Sequence, residues 1–170
     1  AALDPISARA LGVRMIFQEL SDAPALTVAE NISLGRWPGR KGIVRWKAVR
    51  ERAARALDEL GVELDPDRPV ADLRIGERQA VEIARAISDR ARCLILDEPT
   101  AALSAQEVER LFSAVRRLRE RGTAIIYITH RLDEVVEIAD RVEVLRDGNV
   151  VLEREVAGTT RAELVTAMVG

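Results

Sequence analysis

Four apolar residues in a row, Cys93-Leu94-Ile95-Leu96, run without interruption into Asp97-Glu98-Pro99. A short unbroken apolar run is the pattern of a strand covered on both faces, and the proline closes it because it has no amide to give to a ladder. Such a strand needs sheet neighbours and helical covers, and the flanking residues supply both. Ser104 and Glu107 have the spacing of a capping box, and Val108, Leu111, Phe112, Val115 and Leu118 continue as a helical stripe until Gly122. A strand over 123–129 follows, then a short helix marked by Leu132, Val135, Val136 and Ala139. Val142 to Leu145 reads as a further strand, Asp147-Gly148 as a hairpin turn into Val150 to Leu152, and residues 161–168 as a last helix. Upstream, Val13, Met15, Ile16 and Phe17 read as a short buried strand that ends at Gln18-Glu19. Strand and helix alternate as in a parallel α/β core.

Residues 24–88 break that alternation. Thr27 and Glu30 form a second capping box, so a helix should begin at about Val28 and stop within 35–42, a stretch that reads as a flexible surface turn. From Trp46 to Leu60, the residues Val49, Ala53, Ala56, Leu57 and Leu60 share one helical face, and Gly61 stands where a helix ends. A further helix over 76–88 should bury Ala80, Ile83, Ala84 and Ile87. The expected organisation is a partial α/β core of residues 1–23 and 89–170 with a helical subdomain of residues 24–88 inserted into it. The 28 acidic and 26 basic residues give a formal charge of −2, which leaves no electrostatic footprint for wrapping nucleic acid. Cys93 is the single cysteine and lies in an apolar run, which suits a buried reduced thiol. No apolar stretch approaches the roughly 18 residues that cross a bilayer, so membrane contact is expected to be peripheral. Residue 1 is Ala rather than Met, which suits a truncated chain.

The chemistry lies at the strand ends. Ligands of open parallel sheets collect where the carboxyl ends of the strands and the helix N-termini converge. Three strands end in polar groups: Gln18, the pair Asp97-Glu98, and Thr129-His130. Singly, a glutamine after a strand is an ordinary loop residue and a lone histidine an ordinary surface one. Together on one rim they suit nucleotide hydrolysis. Asp97 would hold Mg²⁺ through its water shell, Glu98 would polarise an attacking water, and His130 would contact the terminal phosphate.

The order and spacing of these groups carry a resemblance. Leu94-Ile95-Leu96-Asp97-Glu98-Pro99-Thr100-Ala101-Ala102-Leu103 resembles the Walker B motif and D-loop of ABC ATPases, and Tyr127-Ile128-Thr129-His130-Arg131-Leu132-Asp133-Glu134 their switch-histidine segment. Phe17-Gln18-Glu19 is similar to the Q-loop, Leu26-Thr27-Val28-Ala29-Glu30-Asn31 to the start of the helical subdomain, and Leu73-Arg74-Ile75-Gly76-Glu77-Arg78-Gln79 to the signature motif. The wording is nearest to the ATP-binding proteins of ribose- or xylose-type sugar importers, whose polypeptides carry two such domains in tandem. Val81-Glu82-Ile83-Ala84-Arg85-Ala86 and Met168-Val169-Gly170 look like the first of the two.

The resemblance implies a P-loop NTPase-like parallel core and ATP with Mg²⁺ as cofactors. It implies Glu98, His130 and Gln18 as catalytic groups, and Asp97 with Gln18 at the metal. Leu73, Arg74, Ile75, Gly76, Glu77 and Leu103 would contact nucleotide held by a second ATP-binding domain. The other implied partners are transmembrane permease subunits and, indirectly, an extracytoplasmic sugar-binding protein, with the ATPase peripheral at the cytoplasmic face of the membrane. Two departures stand out. Arg74 replaces the usual serine and Glu77 the usual glutamine of the signature, which should weaken the composite site. No Gly-x-x-x-x-Gly-Lys followed by Ser or Thr occurs in the 170 residues. In the family the phosphate loop lies upstream of the Q-loop, so its expected place is before Ala1, and the chain alone is expected to be inactive. Two other readings stay open: a soluble ABC ATPase acting on the ribosome or nucleic acid, and a non-catalytic structural module.

Overall fold

The computed structural model describes residues 4–170. The chain divides into two compact units, the first ending at Ile128 and the second running from Thr129 to Gly170.

The first unit is built on a three-stranded parallel sheet of β1 (Val13–Ile16), β4 (Cys93–Asp97) and β5 (Ala124–Ile128), in the order β1-β4-β5. The run that opened the sequence is therefore the central strand. Its register sets Ile16 beside Leu96 and Asp97 beside Ile128, so the three strands end at one level. Leu94 and Leu96 are fully buried, but Cys93, Ile95 and Asp97 on the opposite face are only half-buried. The expectation of two fully covered faces, and of a buried cysteine, is corrected here: the helices of this unit close one side of β4 more completely than the other. A similar correction applies at β1, where Ile16 is buried while Met15 and Phe17 are exposed. Among the described residues β1 pairs with β4 alone, and Phe17 lies beyond the strand.

A short helix that the sequence reading did not contain, α1 (Pro5–Ala10), precedes β1. Asp4 caps it through the amides of Ile6 and Ser7, both at 2.9 Å, and Pro5 stands at the first helical position, where a missing amide costs nothing. Between β1 and β4 lie α2 (Val28–Ile32), the two-residue strands β2 (Gly39–Arg40) and β3 (Ile43–Val44), α3 (Trp46–Leu60) and α4 (Ile75–Ser88). The expected capping box of Thr27 and Glu30 is present. Asn31, buried beside it, holds the preceding turn by accepting from the Ala23 amide at 2.8 Å and donating to the Ala23 and Thr27 carbonyls at 3.0 Å.

Helix α3 buries the five apolar residues read from its sequence. It ends at Gly61, whose φ of 70° lets the Val62 amide reach back to the Leu57 carbonyl at 3.0 Å. Helices α2, α3 and α4 pack against one another. In α4, Ile83 and Ala84 are buried as expected, while Ala80 and Ile87 are only half-buried, and Val81 and Ala86 are buried in addition. Residues 39–43 are exposed as expected of a surface turn and Val44 is half-buried, yet the segment forms an antiparallel ladder rather than an irregular loop. Helix α5 (Ala105–Glu120) covers the sheet with Leu111, Phe112, Ala114, Val115 and Leu118, and Ser104 and Glu107 form its capping box.

The second unit contains α6 (Leu132–Ile138), an antiparallel pair of β6 (Arg141–Arg146) and β7 (Asn149–Glu155), and α7 (Arg161–Val169). Asp147 and Gly148 make the hairpin turn with φ of 51° and 78°, the backbone that a two-residue turn of this hand requires. Leu164 and Val144 are buried between α7 and β6.

Candidate functional site

The rim formed by the carboxyl ends of β1, β4 and β5 is where the predicted groups gather in the first unit. Asp97 is the last residue of β4 and half-buried. Glu98 follows it with φ of 45°, a left-handed backbone that a non-glycine residue adopts at a cost of about 1–3 kcal/mol. The amide of Glu98 donates to the Ile128 carbonyl at 2.9 Å, carrying the β4–β5 ladder one residue past the strand. That bond fixes where the strained residue starts, and Pro99 fixes where the chain goes next. The turn continues with Ala101 donating to the Glu98 carbonyl and Leu103 to that of Thr100, so half-buried Leu103 stands between the acid pair and the cap of α5.

Gln18 lies two residues beyond Ile16, exposed, in a segment whose far end is held by α4. Ser21 donates to Glu82 Oε1 through its amide at 2.6 Å and its hydroxyl at 2.9 Å, and Arg85 bonds both residues. Asp22 then takes two bonds from Arg78, at 2.6 and 2.7 Å, with a carboxylate that is almost fully buried. The Asp22 carboxylate raises the guanidinium of Arg78 above its ordinary value. The segment carrying Gln18 thus runs from the sheet rim to side chains spaced along α4, Arg78, Glu82 and Arg85.

The signature-like residues form the entrance to α4. Leu73 is buried, Arg74 is the exposed N-cap, and Ile75 and Gly76 begin the helix. Glu77, at the third helical position, accepts from the Arg74 amide at 2.8 Å and lies 3.6 Å from Arg68. The free amides of a helix N-terminus attract an anion, and here the anion is Glu107. A Cβ on Gly76 would stand 2.5 Å from Glu107 Oε1, so the absence of a side chain leaves the room which that carboxylate fills. The amide and hydroxyl of Ser104, joined by the Gly76 backbone and Arg74, hold Glu107 below the usual carboxylate range. Sequence reasoning gave Glu107 only its capping role; nothing in local spacing reveals that the starts of α4 and α5 meet.

His130 belongs to the second unit, exposed on the loop that leads into α6. Its neighbours on both sides are tied to one buried carboxylate. Glu134 accepts from the Thr129 hydroxyl at 3.0 Å and lies 3.1 Å from Arg131, while the Arg131 amide donates to the Thr129 hydroxyl at 3.0 Å. The loop around the imidazole is therefore closed on itself. The i to i+3 spacing of Arg131 and Glu134 was the one signal of this clamp visible in the sequence.

A parallel sheet with a strained acidic turn at its rim, and a helix whose N-terminus accepts an anion, is the geometry of a nucleotide-handling α/β protein. Residues 3–101 match the ABC transporter family, and the chain belongs to it. Over 166 residues it is 51% identical to the ribose import ATP-binding protein RbsA 3 of Rubrobacter xylanophilus, a match that takes in 98% of this chain and 34% of the relative. The chain thus spans about a third of the length of the curated relatives it matches. Among solved structures, an ATP-binding cassette of an ABC transporter superposes with a TM-score of 0.81 at 26% identity, over 98% of this chain and 72% of the other. A dimeric ATP-binding cassette in a post-hydrolysis state with ADP and phosphate superposes with a TM-score of 0.74 at 26% identity, over 91% of this chain and 68% of that one. The fold is the P-loop NTPase-like α/β core of that family.

Proposed function

We propose that the chain is part of the ATP-binding and ATP-hydrolysing subunit of an ABC importer for a carbohydrate, in which ATP hydrolysis is coupled to transport. The observation that carries the reading is the shared rim. Asp97 lies opposite Ile128, the Glu98 amide is bonded to the Ile128 carbonyl, and Gln18 stands two residues past the level of Leu96. On this reading Glu98 polarises the attacking water, His130 contacts the terminal phosphate, and Gln18 links the metal's surroundings to α4 through Ser21 and Asp22. Asp97 and Gln18 suit Mg²⁺ by their chemistry, since each offers an oxygen donor and the Asp97 carboxylate is only half-buried. When bound, the cation would spread and neutralise the charge of the phosphates.

The core would consist of residues 1–23 and 89–170, and the helical subdomain of residues 24–88. The entrance to α4, Leu73 to Glu77, together with Leu103, would face nucleotide held by a second ATP-binding domain. Glu107 would then be the group that a phosphate displaces from the α4 amides. Permease subunits in the membrane, served by a sugar-binding protein outside, complete the assembly, with this subunit peripheral on the cytoplasmic side. The names of the relatives support the sugar.

The test is Glu98→Gln in a protein of the relatives' full length. Removing a general base costs about 10²–10⁴-fold, so turnover should fall by that factor while ATP is still bound. Unchanged turnover, or loss of binding without an effect on the bound rate, would remove Glu98 from its assigned role.

A further inference from the structure

Residues 36–47 contain Arg36, Arg40, Lys41, Arg45 and Lys47 and no acidic residue. The whole chain carries a formal −2, so setting those five aside leaves −7 on the remainder: the segment is a positive island on a negative protein. It is also an ordered element. Gly39 pairs with Val44 and Arg40 with Ile43, and Lys41 and Gly42, with φ of 52° and 80°, form the two-residue turn. A Cβ on Gly39 would stand 2.5 Å from the Ile43 carbonyl oxygen, which makes glycine necessary for so close a pair of strands. The base of the hairpin is closed by the Arg45 amide on the Pro38 carbonyl at 2.8 Å and by Trp37 and Trp46, edge to face with centroids 6.1 Å apart.

Polar and apolar groups are exposed together on this element. Ile43 beside the turn is 73% exposed, Trp46 50% and Trp37 39%. Arg36 lies 3.7 Å from Asp89 and Lys47 4.0 Å from Glu51, but Arg40, Lys41 and Arg45 make no side-chain hydrogen bond or ion pair with any described residue. Three unpaired cations around an exposed isoleucine and two indoles match an anionic bilayer surface. The cations meet headgroup phosphates at about 1 kcal/mol each, the indoles sit at the polar boundary, and the aliphatic side chain enters the acyl region. A nucleic acid would also attract the cations, but it takes up aromatic residues by stacking bases on open ring faces. Here the two indoles pack against each other and the residue beside the turn is aliphatic.

We propose that the hairpin of residues 36–47 docks on the anionic surface of a lipid bilayer. The contact is peripheral, since no helix among the described residues is long and apolar enough to cross a membrane. It does not rest on the nucleotide chemistry, and either idea can fail alone.

Trp37 and Trp46 are the chain's two tryptophans, so its indole emission reports on this hairpin. Addition of phosphatidylcholine vesicles containing about a third phosphatidylglycerol is expected to shift the emission to the blue, and chain-brominated lipid to quench it. Pure phosphatidylcholine should do neither, and added salt should reverse the shift. Arg40→Gln with Lys41→Gln, both exposed and unpaired among the described residues, should weaken partitioning about 30-fold, from the loss of two basic residues at about 1 kcal/mol each. Ile43→Ser should reduce the quenching more than the binding. Equal binding to neutral and anionic vesicles, no shift in either, or a shift with a short single-stranded oligonucleotide and none with vesicles would overturn the proposal.

Discussion

Asp89, at the end of α4, faces four arginines: Arg52 at 2.8 Å, Arg14 at 3.1 Å, Arg9 at 3.5 Å and Arg36 at 3.7 Å. The carboxylate is 4% exposed, Arg14 10% and Arg52 19%, whereas Arg9 and Arg36 are more than half exposed. Exposed pairs contribute little after screening, so the energetic weight lies with Arg14 from β1 and Arg52 from α3. Removing one partner of a buried pair leaves its charges uncompensated, at a cost of about 3–5 kcal/mol. Asp89→Ala should therefore lower the unfolding free energy measured by urea titration by that amount, while Arg36→Ala should change it by under about 1 kcal/mol. None of this was legible beforehand, because the four arginines lie between 37 and 80 residues from Asp89 along the chain and no periodicity links them. The left-handed Glu98 was equally hidden. Its side chain could be read as catalytic from its neighbours, but its φ is set by the bond to Ile128, a contact between strands.

Elements were legible where a local rule governs them. Thr27 with Glu30 and Ser104 with Glu107 were visible as capping boxes, because each satisfies its own helix within four residues. The hairpin of β2 and β3 was not, since two-residue strands have no alternation to detect and the Lys41-Gly42 turn is weaker in pattern than Asp147-Gly148. The caps carry a pH dependence of fixed sign. Glu107 is held down by the amide and hydroxyl of Ser104, and Glu163 by the amide and hydroxyl of Thr160 with help from Arg154. A folded value below the unfolded one means that the carboxylate's stabilising contribution is complete above the ordinary glutamate value of about 4.3 and lost as pH falls through the lowered folded value. Nuclear magnetic resonance titration should show the Ser104 and Thr160 amides moving together with Glu107 and Glu163, below the ordinary range. Ser104→Ala should return Glu107 towards that range and fray the first turn of α5. A Glu107 titration unchanged by that substitution would leave the residue-104 amide, which alanine keeps, rather than the hydroxyl as the group that lowers it.

At the scale of the molecule, five motifs in the right order were enough to name the family from sequence, because their order reflects the sheet rim that β1, β4 and β5 build. The order of motifs does not by itself grip a nucleotide. ATP is gripped in such folds by a nest of backbone amides and a lysine around its phosphates, and the 170 residues contain no Gly-x-x-x-x-Gly-Lys followed by Ser or Thr. Arg40-Lys41-Gly42 is not a substitute. It turns between two antiparallel strands, whereas a phosphate loop joins a parallel strand to a helix, and Gly42 occupies the position of the hydroxyl that holds the metal. Beside Gln18 at the rim stand Asp97 and Glu98, whose carboxylates repel an unshielded triphosphate. The purified 170-residue protein is therefore expected to release phosphate from ATP at the background rate, with no saturable ATP binding at millimolar concentration. Two measurements together decide it: phosphate release by the chain, and by the chain with Glu98→Gln. Turnover above background that the substitution abolishes would mean that this rim holds and hydrolyses ATP without the loop, and the account of how the phosphates are gripped would have to be replaced.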